Sequence, residues 1–364
     1  MWCVLVFAGG TVAAPEPVTI AVIASKTGDA APSNQVLFQT ARFAVDELNA
    51  AGGLLGRRIE ILELDNHSTP LGSKAAAEAA VEAGVVAVIG ASWSSHSNAM
   101  AAVLQPAGMP MVTPISTNPK VTLHGDYIFR VCYTDPFQGR VMARYAREEL
   151  GIDTAVTLVN VSRTYSVDLS DYFEKSFTEL GGRIVWRGEF LIDAADYRRL
   201  LETVRKHDPD AIYIPGDYRD SSFIIKQAHD LNIDAVILGG DAFGMRLYDY
   251  IGDLAEGCYY TTNWHRDSDW PPSREFVRRF EAVHGPIKQT TIPLTYDAVT
   301  IWADAVRRAK TFDRSAVRDA LARTRDWVGV TGTISFDANG DPIKPAVINQ
   351  LADGGIRFIK SVHP

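Results

Sequence analysis

Two short segments bring hydroxyl groups to the ends of apolar runs. Val85–Ile89 ends in Gly90 and is followed by Ser92, Trp93, Ser94, Ser95, His96 and Ser97. A strand that opens into a hydroxyl-rich helix start is suited to an anion. Free backbone N–H groups and the helix dipole point at the ligand, and the hydroxyls add donors. The second segment is Met111–Thr113 followed by Pro114, Ile115, Ser116, Thr117, Asn118 and Pro119. Thr117 offers a hydroxyl and an N–H beside the first segment, and Ile115 offers a carbonyl to a cation. Adjacent strand ends of an open parallel sheet form the crevice in which ligands bind. Ser95 and Ser97 read as helix caps. Ser94 has two readings, cap or ligand donor, and the second segment favours the donor.

Catalytic patterns are missing. The chain has neither a G-x-x-x-x-G-K-[ST] phosphate loop nor a G-x-G-x-x-G after a strand. Gly90-Ala91-Ser92-Trp93-Ser94 comes near a nucleophile elbow, but Ser94 stands where that turn needs glycine. The eight histidines never form H-x-x-x-H, and the three cysteines never form C-x-x-C, so neither a metal nor a cofactor is expected. The expectation is a binding protein rather than an enzyme.

The elements that must hold these segments alternate. Val18–Ser25, Arg58–Asp65, Val85–Ile89 and Met111–Thr113 read as strands, with helices at Val36–Asn49, Ser73–Ala83 and Ser97–Leu104 between them. The rhythm restarts with strands at Ala155–Val159, Arg183–Phe190, Ala211–Ile214 and Val236–Leu238. Helices at Ser166–Leu180, Tyr197–Lys206 and Ser221–Leu231 separate them. Such alternation implies parallel sheets with helices on both faces. Two runs meeting near Phe129–Asp135 imply two lobes, which 364 residues can supply with separate cores. Later helices (Ser273–His284, Leu294–Lys310, Ala316–Arg323) and strands (Gly332–Phe336, Val347–Leu351) are too few for a third domain. They complete both lobes, so the chain crosses between them more than once.

The net charge of −8 lacks the basic footprint that phosphate backbones require, so nucleic acid is not an expected partner. Residues 1–14 are apolar and end in small residues before Pro15. They resemble the back half of an export signal without its basic start, and they are too short to span a bilayer. No direct membrane insertion is expected. Cys132 and Cys258 read either as two buried thiols or, in an oxidising compartment, as a disulfide.

Five segments resemble the leucine/isoleucine/valine-binding protein family, the type I periplasmic binding proteins of ABC importers. They are AVDELNAAGGLLGRRIEILELD (Ala44–Asp65), AVIGASWSS (Ala87–Ser95), VTPISTNP (Val112–Pro119), IFRVCYTDPFQG (Ile128–Gly139) and GTISFDANGD (Gly332–Asp341). The resemblance implies an α/β fold of two Rossmann-like lobes joined by a three-crossover hinge. Residues 15–131 plus 263–334 would form the N-terminal lobe, and 132–262 plus 335–364 the C-terminal lobe. It implies a monomeric, exported, periplasmic protein that captures an amino acid, branched-chain or otherwise hydrophobic or polar, and delivers it to ABC permease subunits. Ser94 and Thr117 would hold the ligand carboxylate, the Ile115 carbonyl and Asp241 its ammonium, and Tyr165 would close over it. Either Asp217 or Tyr218 would take the place of a pocket tyrosine. Trp93 stands where smaller residues are common, either shaping the pocket or packing the lobe. Asp241 also reads as a plain turn residue beside Gly240. Relatives that bind an amide, urea or aromatic acid share the fold, as do sensory ligand-binding modules.

Overall fold

β1 (Val18–Ala24) is almost wholly buried, as a central parallel strand covered on both faces must be. The computed structural model describes residues 15–191 and 194–364. The segment 1–14 expected to act in export, with Cys3, lies outside them. After β1 come α1 (Ala31–Ala50), β2 (Ile59–Asp65), α2 (Pro70–Glu82), β3 (Val88–Gly90), α3 (Ser94–Leu104), β4 (Met111–Thr113) and β5 (Ile128–Arg130). The strands form one parallel sheet in the order β2-β1-β3-β4-β5.

A second sheet is built from the next stretch. It contains α4 (Asp135–Glu148), β6 (Thr154–Asn160), α5 (Thr164–Glu179), β7 (Arg183–Phe190) and α6 (Arg198–His207). It continues through β8 (Ala211–Ile214), α7 (Tyr218–Asp230), β9 (Val236–Gly239), α8 (Arg246–Ile251) and β10 (Tyr259–Thr262). The chain then returns with α9 (Pro271–His284), α10 (Thr291–Ala309), α11 (Arg314–Ala322), β11 (Trp327–Gly329), β12 (Gly332–Phe336) and β13 (Pro342–Ile343). It ends with β14 (Ala346–Ala352) and β15 (Gly355–Val362). The second sheet runs β15-β14-β10-β9-β8-β6-β7, and β14 alone runs against the others, pairing antiparallel with both β10 and β15.

Packing assigns the returning segments. Leu294, Ala298 and Trp302 of α10 share a core with Ile20, Val22 and Leu37, so α10 covers the first sheet. Phe336 of β12 lies 5.3 Å from Phe129 in that same core. The lobe boundary expected at 334/335 therefore falls inside β12, and the second sheet takes up the chain again only at β14.

α4 did not announce itself in the sequence. Pro136 sits at its second position, where no intrahelical N–H is needed, and Gly139 lies inside it. A Cβ at Gly139 would stand 2.9 Å from the Phe173 backbone N, so the glycine lets α5 pack closely. Cys132 is buried in the first lobe's core and Cys258 in a core of the second. Both are free thiols, so the disulfide reading gives way to the buried-thiol reading.

Candidate ligand-binding site

Between the two sheets lies a cavity of about 390 Å³. The first lobe contributes Trp93, Ser94 and Ile115. The second contributes Tyr165, Asp217, Tyr218 and Asp241. Thr117 does not line it. The residue is buried, its carbonyl accepts from the Asp135 N–H at 2.9 Å, and its hydroxyl lies against the Asp135 carboxyl, whose pKa it lowers.

α3 begins at Ser94, three residues earlier than the sequence suggests, with Trp93 at the cap position. No side chain caps it, so Ser95 and Ser97 are not caps. Ser97 instead pins the strand-end turn: its hydroxyl accepts from Ala91 N–H at 3.0 Å and meets Ser116 Oγ at 2.7 Å. Ser94 Oγ accepts from Asn118 N–H at 3.3 Å, which ties the two hydroxyl segments together.

The loop carrying Thr117 hangs on Arg130, which is fully buried at the end of β5. Its guanidinium donates to the carbonyls of Ser116 and Asn118 and to Thr122 Oγ1, and pairs with Asp341 at 2.5 Å. Asp341 comes from the GTISFDANGD segment, so two of the five recurrent segments serve to brace a third.

Asp241 follows β9 and Gly240. Its Oδ1 accepts from Tyr165 Oη at 2.9 Å and from Gln138 Nε2 at 3.1 Å, and Gln138 also donates to Thr261 Oγ1 at 2.9 Å. A Cβ at position 240 would stand 2.2 Å from Tyr165 Oη and 2.8 Å from Gln138 Nε2, so glycine there admits both donors. Burial pushes the Asp241 carboxyl up to about 6, against the two hydrogen bonds that pull it down. Among the described residues Asp241 has no ion-pair partner. Asp135, at the start of α4, is fully buried, and burial with Asp241 nearby pushes its carboxyl up to about 8. The chamber thus presents Asp241 without cationic compensation, a costly arrangement for an empty site.

Asp217 and Tyr218 both face the cavity. Asp217 caps α7 through the Arg219 N–H, and burial raises its carboxyl. The Tyr218 ring is covered by Arg246 at 4.2 Å. Trp93 also serves both of its readings, lining the cavity and stacking under Arg163 at 3.6 Å. Phe243 lines the cavity while packing in a second-lobe core. Arg130, Gln138, Arg163 and Arg246 were missed by the sequence reading. For Arg130 a signal existed: a lone arginine inside the apolar run Ile128–Val131 must be buried and bonded.

Two doubly wound lobes, connected by three stretches of chain around a ligand-sized cavity, define a two-lobed solute-binding protein. Residues 17–355 match the periplasmic binding protein family, and the chain belongs to that family. It is similar to a leucine-binding protein, LivK, from Thermotoga maritima, at 35% identity and a TM-score of 0.91, covering 95% of this chain and 99% of that one. The branched-chain amino-acid transporter substrate-binding protein LivJ from Streptococcus pneumoniae, solved with isoleucine, matches at 29% identity and a TM-score of 0.89, covering 96% and 100%. A Leu/Ile/Val-binding protein homolog from Brucella melitensis is 27% identical over 337 residues, 92% of this chain and 91% of the relative. Among the described residues no helix is long and apolar enough to cross a membrane.

Proposed function

We propose that this chain captures an α-amino acid between its lobes outside the cytoplasm and presents it, as a monomer, to the permease subunits of an ABC importer. The observation that carries this reading is Asp241: a half-buried, doubly hydrogen-bonded carboxyl without an ion-pair partner among the described residues, facing a cavity. A ligand ammonium would compensate it. Across the cavity, the first turn of α3 with Ser94, and the Ile115 carbonyl, suit a carboxylate and the other side of the ammonium. Thr117 would act by shaping that loop, or by turning its hydroxyl from Asp135 toward the ligand on closure. Tyr165 would orient Asp241, and Trp93, Asp217 and Tyr218 would meet the side chain. The solved relatives whose names specify leucine or carry isoleucine support an amino-acid ligand.

With Cys132, β12 and β13 assigned to the first lobe, the lobes run 15–132 plus 263–343 and 133–262 plus 344–364. Because ammonium acceptors are divided between lobes, the ligand binds the closed form better and shifts the population toward it. A thermal-shift screen of the twenty amino acids with urea, short amides and aromatic acids tests the reading. A ligand at 100 times its Kd stabilises the fold by about 2.7 kcal/mol. A shift with amino acids that is lost in Asp241→Ala supports it; a shift only with an amide, urea or aromatic acid overturns the amino-acid head group.

A further inference from the structure

Asp241 has a charged neighbour on the adjoining strand end that the amino-acid head group does not use. β8 and β9 pair in parallel, with Ile214 beside Gly239. Asp217 lies just past β8 and Asp241 just past β9, so strands about 4.8 Å apart carry both carboxyls to the cavity. Asp217 is half-buried. Its Oδ1 accepts from the Arg219 N–H at 3.4 Å, and its Oδ2 has no hydrogen-bond partner among the described residues. Arg246 opens α8, is half-buried and lines the same cavity. Its guanidinium lies over the Tyr218 ring at 4.2 Å, and Nη1 donates to the Pro32 carbonyl of the other lobe at 3.1 Å. Its remaining N–H groups have no partner among the described residues. Burial raises the Asp217 pKa, while the Arg219 N–H, Arg163 and Arg246 lower it. Asp217 and Arg246 thus attract each other, yet no salt bridge joins them among the described residues. Opposite charges that act on each other without touching leave room for a group that is both donor and acceptor.

We infer that Asp217 and Arg246 form a side-chain subsite for an α-amino acid ending in a neutral carboxamide or ureido group, its N–H toward Asp217 and its carbonyl toward Arg246. The inference rests on the head-group reading above. Both hydrogen bonds would be charge-assisted. A side-chain carboxylate would meet Asp217, and a side-chain ammonium would meet Arg246; either like-charge contact is unfavourable. An aliphatic side chain would leave both charges facing hydrocarbon.

Calorimetric titration of the purified full chain compares glutamine, asparagine and citrulline with norleucine, glutamate and lysine. The best of the first three should bind at least about tenfold more tightly than each of the last three. Arg246→Met keeps a stem over Tyr218 without the guanidinium, and Asp217→Ser keeps a capping oxygen on α7 without the charge. In each variant the preference over norleucine should fall toward one. Loss of the Pro32 contact in Arg246→Met acts on all ligands alike, so the ratio cancels it. Norleucine, glutamate or lysine equal to or tighter than the best of the first three overturns the subsite. So does a preference over norleucine that survives in whichever variant folds. Amino-acid binding that is lost in Asp241→Ala would then keep the head-group reading intact, whereas no binding by any of the twenty amino acids would overturn both.

Discussion

The Arg163 guanidinium lies 3.6 Å from the centroid of the Trp93 ring, and the two residues come from opposite lobes. Nearby, Asp168 of the second lobe accepts from Asn118 Nδ2 at 2.7 Å and pairs with Lys120 at 2.8 Å, both from the first. These contacts exist only while the lobes are close, so they bias the hinge toward closure. Trp93→Ala and Asp168→Ala should therefore each open the ligand-free protein and weaken ligand binding about three- to tenfold. Small-angle scattering should show a larger radius of gyration without ligand and recovery with it.

Asp241 sets a pH dependence. An ammonium needs its carboxylate, and burial holds that carboxyl at about 6 in the ligand-free protein. Affinity should be flat above pH 7 and fall below pH 6 by up to about tenfold per unit, with proton release on binding at pH 5. Tyr165→Phe removes a hydrogen bond that lowers the Asp241 pKa. The midpoint should then move to higher pH, and affinity at pH 7 should drop. Calorimetry in two buffers of different ionisation enthalpy measures both effects.

The same burial acts on folding with the opposite preference. Asp135 and Asp241 both have folded-state pKa values raised above the ordinary carboxylate range, to about 8 and about 6. Between the unfolded value and these, the folded state binds more protons. Stability contributed by the protonated carboxyls is complete below about pH 4 and is lost as pH rises through 6 and then 8. Urea denaturation of Asp135→Asn should show a shallower loss of stability between pH 6 and 8 than the parent.

Arg130 braces the Thr117 loop from a fully buried position. Arg130→Met leaves the Asp341 carboxylate and the Ser116 and Asn118 carbonyls without their donor. It should cost about 3–5 kcal/mol in chemical denaturation. Asp341→Asn, which keeps an acceptor, should cost less.

Cys132 and Cys258 are buried thiols whose pKa values burial pushes up to about 12. Neither should be alkylated by iodoacetamide in the native protein, and both should react in guanidinium, as peptide mass mapping would show.

Strand–helix alternation was legible because buried parallel strands such as Val18–Ala24 are unbroken apolar runs. α4 was not, since Pro136 and Gly139 suggest a turn until its packing on α5 is seen. β15 also escaped, because the charges of Arg357 and Lys360 break up its apolar pattern. At the site, Ser94 and Ile115 were legible as residues after strand ends, and Asp241 only through the family resemblance. Gln138 and Arg163 were not, because their roles depend on a partner more than 65 residues away in the sequence. The orientation of Thr117 is likewise set by Arg130 and Asp135, which no local pattern links to it.

The central claim is that Asp241 receives the ammonium of an amino acid. Its most direct test is a calorimetric comparison, at pH 7.5, of the tightest-binding amino acid with its analogue lacking only the α-amino group. Loss of the ammonium leaves the Asp241 carboxylate uncompensated once the lobes close over it, so the analogue should bind at least about a hundredfold more weakly. In Asp241→Asn that difference should shrink to a few-fold. Equal affinity of the two compounds for the parent protein would contradict the account.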